Sequence, residues 1–223
     1  MTKLLHSMVL AGLYVFSAAS VSAATLTAQM FDRQGKPLAN AVLTLKGAAG
    51  PVVPTLKASM DQRNQEFVPR VLAVHTGTQV SFPNSDDIRH QVYSFSPTKR
   101  FELRLYEKTP SEPVQFDKAG LVVLGCNIHD WMVGYVYVTD DPWYGVSDAQ
   151  GTLKLDQLPP GRYTATLWHP QAEDMQPLAG GVLEVPADGL SKRFDLAVEV
   201  KPEDQPARPA PGAFGDAFHK AAH

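Results

Sequence analysis

One cysteine in 223 residues is the first scarcity. It excludes an internal disulfide, so in an oxidising compartment this thiol is left to ligate a metal or to react. Positive charge is the second: 20 Lys and Arg against 23 Asp and Glu give a net charge of −3, without the basic footprint that nucleic acid requires. Long apolar runs are the third. Residues 8–19 form an apolar stretch short of the ~20 residues of a spanning helix; it follows Lys3 and precedes the small-residue pattern Val21-Ser22-Ala23. Residues 1–23 are therefore expected to be an export signal, leaving a periplasmic or secreted chain from Ala24 with no membrane span. Also missing are a serine nucleophile elbow, a phosphate-cradling glycine loop and a zinc-protease helix, so no enzyme is expected.

What is present is strand pattern. With 44% hydrophobic and 19% charged residues the chain can bury a core. Apolar and polar residues alternate at 25–30, and the turn Asp32-Arg33-Gln34-Gly35-Lys36-Pro37 leads to a second strand at 41–45, which together predict a hairpin. Pro51 and Pro54 bracket a short strand, and strand-like segments recur at 66–74, 78–82, 90–95, 100–106, 114–117 and 133–138. Residues 121–124 are continuously apolar, as in a strand buried on both faces. Regularly spaced short segments without a long 3.6-residue period predict an all-β fold of sandwich type. Beyond residue 200 the chain is proline-rich and polar, and residues 201–223 are expected to be a disordered tail.

The chemistry concentrates at Gly125-Cys126-Asn127-Ile128-His129-Asp130-Trp131-Met132. A thiolate, an imidazole and a thioether at intervals of three form a copper-favouring set, to which Phe82-Pro83-Asn84-Ser85-Asp86-Asp87-Ile88-Arg89-His90 adds a second imidazole. Thiolate and thioether favour Cu(I), while the two imidazoles retain Cu(II). Zinc suits the same donors less well, since structural zinc takes four strong ligands. Three ligands are expected on one tight loop, meeting His90 across the gap between sheets, with His129 toward the outer surface.

These two segments resemble the cupredoxins, and the short Cys–His–Met loop is most similar to amicyanin. The resemblance covers roughly residues 60–138 and implies a Greek-key sandwich holding one type 1 copper, with His90, Cys126 and His129 equatorial and Met132 axial. It implies that Asn84 ties the first ligand loop to the second. Gly125 departs from the aromatic residue often found before the cysteine, and Gln91 from the usual Asn after the first histidine.

Residues 32–45 and the stretch from Val146 to Pro170 resemble the two halves of a carboxypeptidase regulatory-like or transthyretin-like sandwich. The order of the segments implies a discontinuous module, residues 24–56 plus 139–200, with the cupredoxin at 57–138 inserted in it. The alternative is two sequential domains with the N-terminal hairpin extending the cupredoxin sheet. The functional expectation is an electron carrier between redox protein partners that dock near His129 and Trp131; the alternative is a copper-handling protein without redox duty. Asp86, Asp87, Asp140 and Asp141 are expected to be turn formers, and His75 and His169 surface or turn residues.

Overall fold

The computed structural model describes residues 23–47, 57–110 and 112–200. The expected tail, the expected strand between Pro51 and Pro54, and all of the export signal but Ala23 lie outside those residues. The described chain is all β, with one 3₁₀ turn at Glu173–Met175 and no α-helix. Its strands are β1 (Ala24–Phe31), β2 (Val42–Gly47), β3 (Lys57–Ser59), β4 (Asp61–Arg63), β5 (Glu66–Val68), β6 (Val71–His75), β7 (Thr78–Ser81), β8 (His90–Ser94) and β9 (Phe101–Tyr106). They continue as β10 (Val114–Phe116), β11 (Gly120–Gly125), β12 (Val133–Thr139), β13 (Trp143–Val146), β14 (Thr152–Leu158), β15 (Gly161–Trp168), β16 (Leu178–Val185) and β17 (Leu190–Asp195).

The alternation in β1 buries Ala24, Leu26, Ala28 and Met30. It does so without the expected hairpin. β1 lies between β14 and β17 in one sheet, and β2 lies between β13 and β15 in another, ordered β13-β2-β15-β16. The two strands face each other across a core that also takes Leu43, Leu45, Leu155, Tyr163 and Phe194. Pairing across that gap lets each strand bury its apolar face against a full sheet, whereas a two-strand ribbon buries too little to stand alone. Two Asp-x-Gln-Gly turns shape this end. Asp32 Oδ1 accepts the N–H groups of Gln34 and Lys36, and Asp148 Oδ1 those of Gln150 and Thr152. Gly151 has φ +70°, and a Cβ there would collide with the Met30 carbonyl oxygen, so no larger residue fits.

A second core collects Met60, Phe67, Val80, Phe82, Val92, Phe116, Val122, Leu124, Val136 and Val138. It is flanked by a five-stranded sheet, β6-β12-β11-β8-β9, a three-stranded sheet, β10-β7-β3, and the β4–β5 hairpin. Pro69 sits in a cis peptide and divides the expected 66–74 segment into β5 and β6. The 121–124 run alternates instead of burying both faces: Val122 and Leu124 fill the core while Leu121 turns to the opposite side.

β12 shows why that opposite side matters. Gly134, Val136 and Val138 face the core, while Tyr135 and Tyr137 point outward, with ring centroids 5.7 and 5.5 Å from Trp168. Trp168 is 1% exposed, and with Val42, Val71, Ala73, Leu121 and Val146 it forms an apolar junction between the two cores. Its Nε1–H donates to the Met175 carbonyl at 2.9 Å, so the buried indole keeps its polar atom satisfied.

Candidate metal centre

The first imidazole is placed by a strand start. His90 opens β8, is 0% exposed, and follows a loop stitched to β4: Gln62 N–H donates to the Pro83 carbonyl and Ser85 N–H to the Gln62 carbonyl, both at 2.9 Å. Asn84 tightens that loop from within. Its Nδ2 donates to the carbonyls of Ile88 (2.8 Å) and Tyr106 (3.1 Å), and its Oδ1 accepts the Asp86 N–H.

The second segment leaves β11 after Gly125 and turns back into β12. Cys126 is 2% exposed, and the Met132 N–H bonds the His129 carbonyl at 2.9 Å, closing a tight turn immediately before the strand. β8 and β11 are neighbours in one sheet, with Gly125 opposite Tyr93. The donors therefore meet at the end of a single sheet and not across the gap between sheets, because the adjacent strand ends already bring their loops together. A Cβ on Gly125 would lie 2.7 Å from the Tyr93 hydroxyl oxygen, so the Tyr93 ring fills the space that an aromatic before the cysteine would take.

Three donors converge. One ligand atom each from His90, Cys126 and His129 lies within 4.8 Å of the others, and Cys126 Sγ is 3.9 Å from His90 Nδ1. His90 is fully buried and His129 partly exposed; their rings are 5.0 Å apart, and Trp131 lies 5.0 Å beyond His129. Met132 is 1% exposed and belongs to the same apolar cluster as Cys126. A buried thiolate and two imidazoles form a donor set for a soft or borderline metal ion, and the apolar lining keeps water from competing for it.

The tie between the two ligand loops differs from expectation. The Asn84 side chain bonds its own loop and β9, whereas Asn127 Nδ2 donates to Gln91 Oε1 at 2.8 Å and Gln91 Nε2 donates to Glu102 Oε1 at 2.7 Å. Gln91 and Asn127, each next to a ligand, carry the cross-loop bond.

Asp86 is the residue that sequence reasoning missed. Expected to form a turn, it accepts a 2.8 Å bond from His90 Nε2 through Oδ2. Its oxygens also accept the Asn64 N–H at 2.6 Å and the Gln65 N–H at 2.8 Å. Burial pushes this carboxyl up, but the Gln65 N–H, the His90 ring and the Asn64 N–H outweigh it and hold the group below the ordinary carboxylate range. The available signal was its position four residues before a ligand histidine. Of the remaining histidines, His75 is half-buried beside the Thr76 carbonyl, and His169, expected to be a surface or turn residue, is 5% exposed and opens a turn in which its carbonyl accepts the Ala172 N–H.

No protein-family model and no curated protein sequence matches the chain. Solved structures do match part of it. A novel purple cupredoxin from Nitrosopumilus maritimus is 22% identical over 37% of this chain and 99% of its own, with a TM-score of 0.33. A reduced amicyanin variant is 20% identical over 44% of this chain and 98% of its own, with a TM-score of 0.34. A copper-containing nitrite reductase from Thermus scotoductus SA-01 is 23% identical over 43% of this chain, with a TM-score of 0.36, and the match spans only 25% of that enzyme's length. Over less than half its length, the chain is similar to cupredoxins.

Proposed function

We propose that this chain is an exported carrier of single electrons, with one copper ion that Cys126, His90, His129 and Met132 would hold. The observation that carries the reading is the convergence of one sulfur and two imidazole nitrogens within 4.8 Å at the end of a buried core. Copper bound there would supply one-electron chemistry, cycling between Cu(I) and Cu(II). The residues supply the rest. Cys126 gives a soft thiolate and the histidines give borderline nitrogens, a set that suits both oxidation states. Hydrogen bonds within and between the two ligand loops hold the donors in place. His129, the more exposed of the two imidazoles and flanked by Trp131, is the side from which a redox partner would approach.

In this reading residues 57–138 are the metal-holding module, and residues 24–56 with 139–200 form a second sandwich that fixes its orientation. The apolar clusters support that division, one drawing on residues 24–45 and 153–198 and the other on residues 60–138.

The deciding experiment is a visible absorption and electron paramagnetic resonance spectrum of the chain loaded with Cu(II). An intense thiolate-to-copper band, absent in Cys126→Ser, is the expected result. A colourless protein that takes only Cu(I) or Zn(II) overturns electron transfer and leaves metal handling as the function.

A further inference from the structure

The tip of the β4–β5 hairpin reaches the ligand loop. Asn64 and Gln65 have φ of 55° and 60°, the left-handed pair that closes a two-residue hairpin with the twist its strands need. In that conformation both backbone N–H groups point out of the turn, and both end on Asp86. A second set of contacts fixes the same approach: Ser85 Oγ donates to Asp61 Oδ2 at 2.9 Å, and Arg63 pairs with Asp61 at 2.8 Å. The carboxylate thus receives the Asn64 amide on Oδ1 and both the Gln65 amide and the imidazole of His90 on Oδ2.

The partners settle the proton positions. A carboxylate accepts and cannot donate, so the His90 nitrogen 2.8 Å from it, Nε2, carries the hydrogen. In the neutral ring Nδ1 is then a bare lone pair, and Nδ1 is the atom 3.9 Å from Cys126 Sγ. A carboxylate behind a ligating imidazole also makes that imidazole a stronger donor. Its negative charge lies on the far side of the ring from the metal position, where it favours the more positive metal.

We propose that Asp86 is a positioning residue of the metal centre: held by the amides of Asn64 and Gln65, it presents His90 with Nδ1 toward Cys126 and biases the bound metal toward its higher oxidation state. The inference rests on the metal-centre reading above and is tested at two levels.

The first level needs neither a variant nor a metal. A multiple-bond ¹⁵N–¹H spectrum of the metal-free full chain reads the ring directly; Nε2 protonated with Nδ1 bare is expected, and an Nδ1-protonated neutral ring overturns the proposal. The second level compares wild type with Asp86→Asn by competition titration using Cu(II), Cu(I) and Zn(II) as probes. Cu(II) and Zn(II) affinity is expected to fall about 10–100-fold, as for other outer partners of ligating histidines, and Cu(I) affinity to fall less. Each tenfold excess of the Cu(II) loss over the Cu(I) loss raises the reduction potential by about 59 mV, and Asp86→Glu, which keeps the charge, should restore much of the difference. Equal losses of Cu(II) and Cu(I), or no loss, overturn the redox bias. Absence of a thiolate–copper band in the wild type would sink the electron-carrier reading alone, since the ring tautomer and the Zn(II) titration test Asp86 without it.

Discussion

The two cores are built from the same strands and turns and end differently. In the core of β1, β2, β14 and β15, buried polar groups serve the backbone. Ser147 Oγ accepts the Ala41 N–H and donates to the Leu38 carbonyl, and the Asp32 carboxylate caps its own turn. In the other core, His90 and Cys126 are buried with a ring nitrogen and a sulfur facing each other. Such an arrangement is costly to bury without a partner and becomes favourable with a metal between the donors. Both cores use buried polar side chains to hold loops, and the second also brings a set of metal-favouring donors together.

That contrast is open to four tests. The largest expected effect is at the junction. Trp168→Ala removes a fully buried indole from between Tyr135 and Tyr137 and should cost about 3–5 kcal/mol; it should also resolve a single thermal transition into two, because that ring bridges the cores. Calorimetry of the metal-free chain measures this, and a loss below about 1 kcal/mol would mean the junction contributes little.

The next effect belongs to the first core. Burial pushes His169 down to about 4, against a smaller upward influence from the Ala39 carbonyl and with Arg70 adding to the fall. Because the unfolded chain takes up the proton first, stability should be complete above pH ~6.5 and decline as pH falls toward 4, by on the order of 3 kcal/mol. Denaturant midpoints across that range should drop in wild type and stay flatter in His169→Gln; parallel curves would refute the assignment.

Gly134→Ala probes the second core. Its Cβ would meet the Cβ, Cγ and Cδ2 atoms of Phe67 at 2.9 Å, and Phe67 is itself buried, so the substitution should cost about 1–3 kcal/mol. Chemical denaturation of both chains gives the difference, and an unchanged midpoint would show that the hairpin yields freely. The smallest change in stability is expected from Met132→Leu, a swap of similar volume that costs less than about 1.5 kcal/mol while removing the thioether. The copper-loaded variant should keep its thiolate band and show a raised reduction potential. An unchanged potential would exclude Met132 as a ligand.

Local chemistry was legible in the chain itself. Period-two alternation marked β1 and β7 within a residue or two, because one buried face imposes that pattern wherever the strand is placed. The residue types at positions 90, 126, 129 and 132 declared a metal-favouring set, since soft and borderline donors spaced along one short loop have few other uses. Tertiary structure decided which elements meet. β1 and β2 are close in sequence yet pair in opposite sheets, a choice set by the faces offered by β14 and β15, more than 100 residues away. The contacts of Trp168 with Tyr135 and Tyr137 depend on the two cores docking. Asp86 reads as a turn residue until the Asn64–Gln65 tip, some 21 residues earlier, folds over it and fixes both oxygens, Oδ2 shared between the Gln65 amide and His90. Donor identity is a property of single residues and survives in a linear string; donor orientation depends on hydrogen bonds between distant segments, which exist only once the chain has folded.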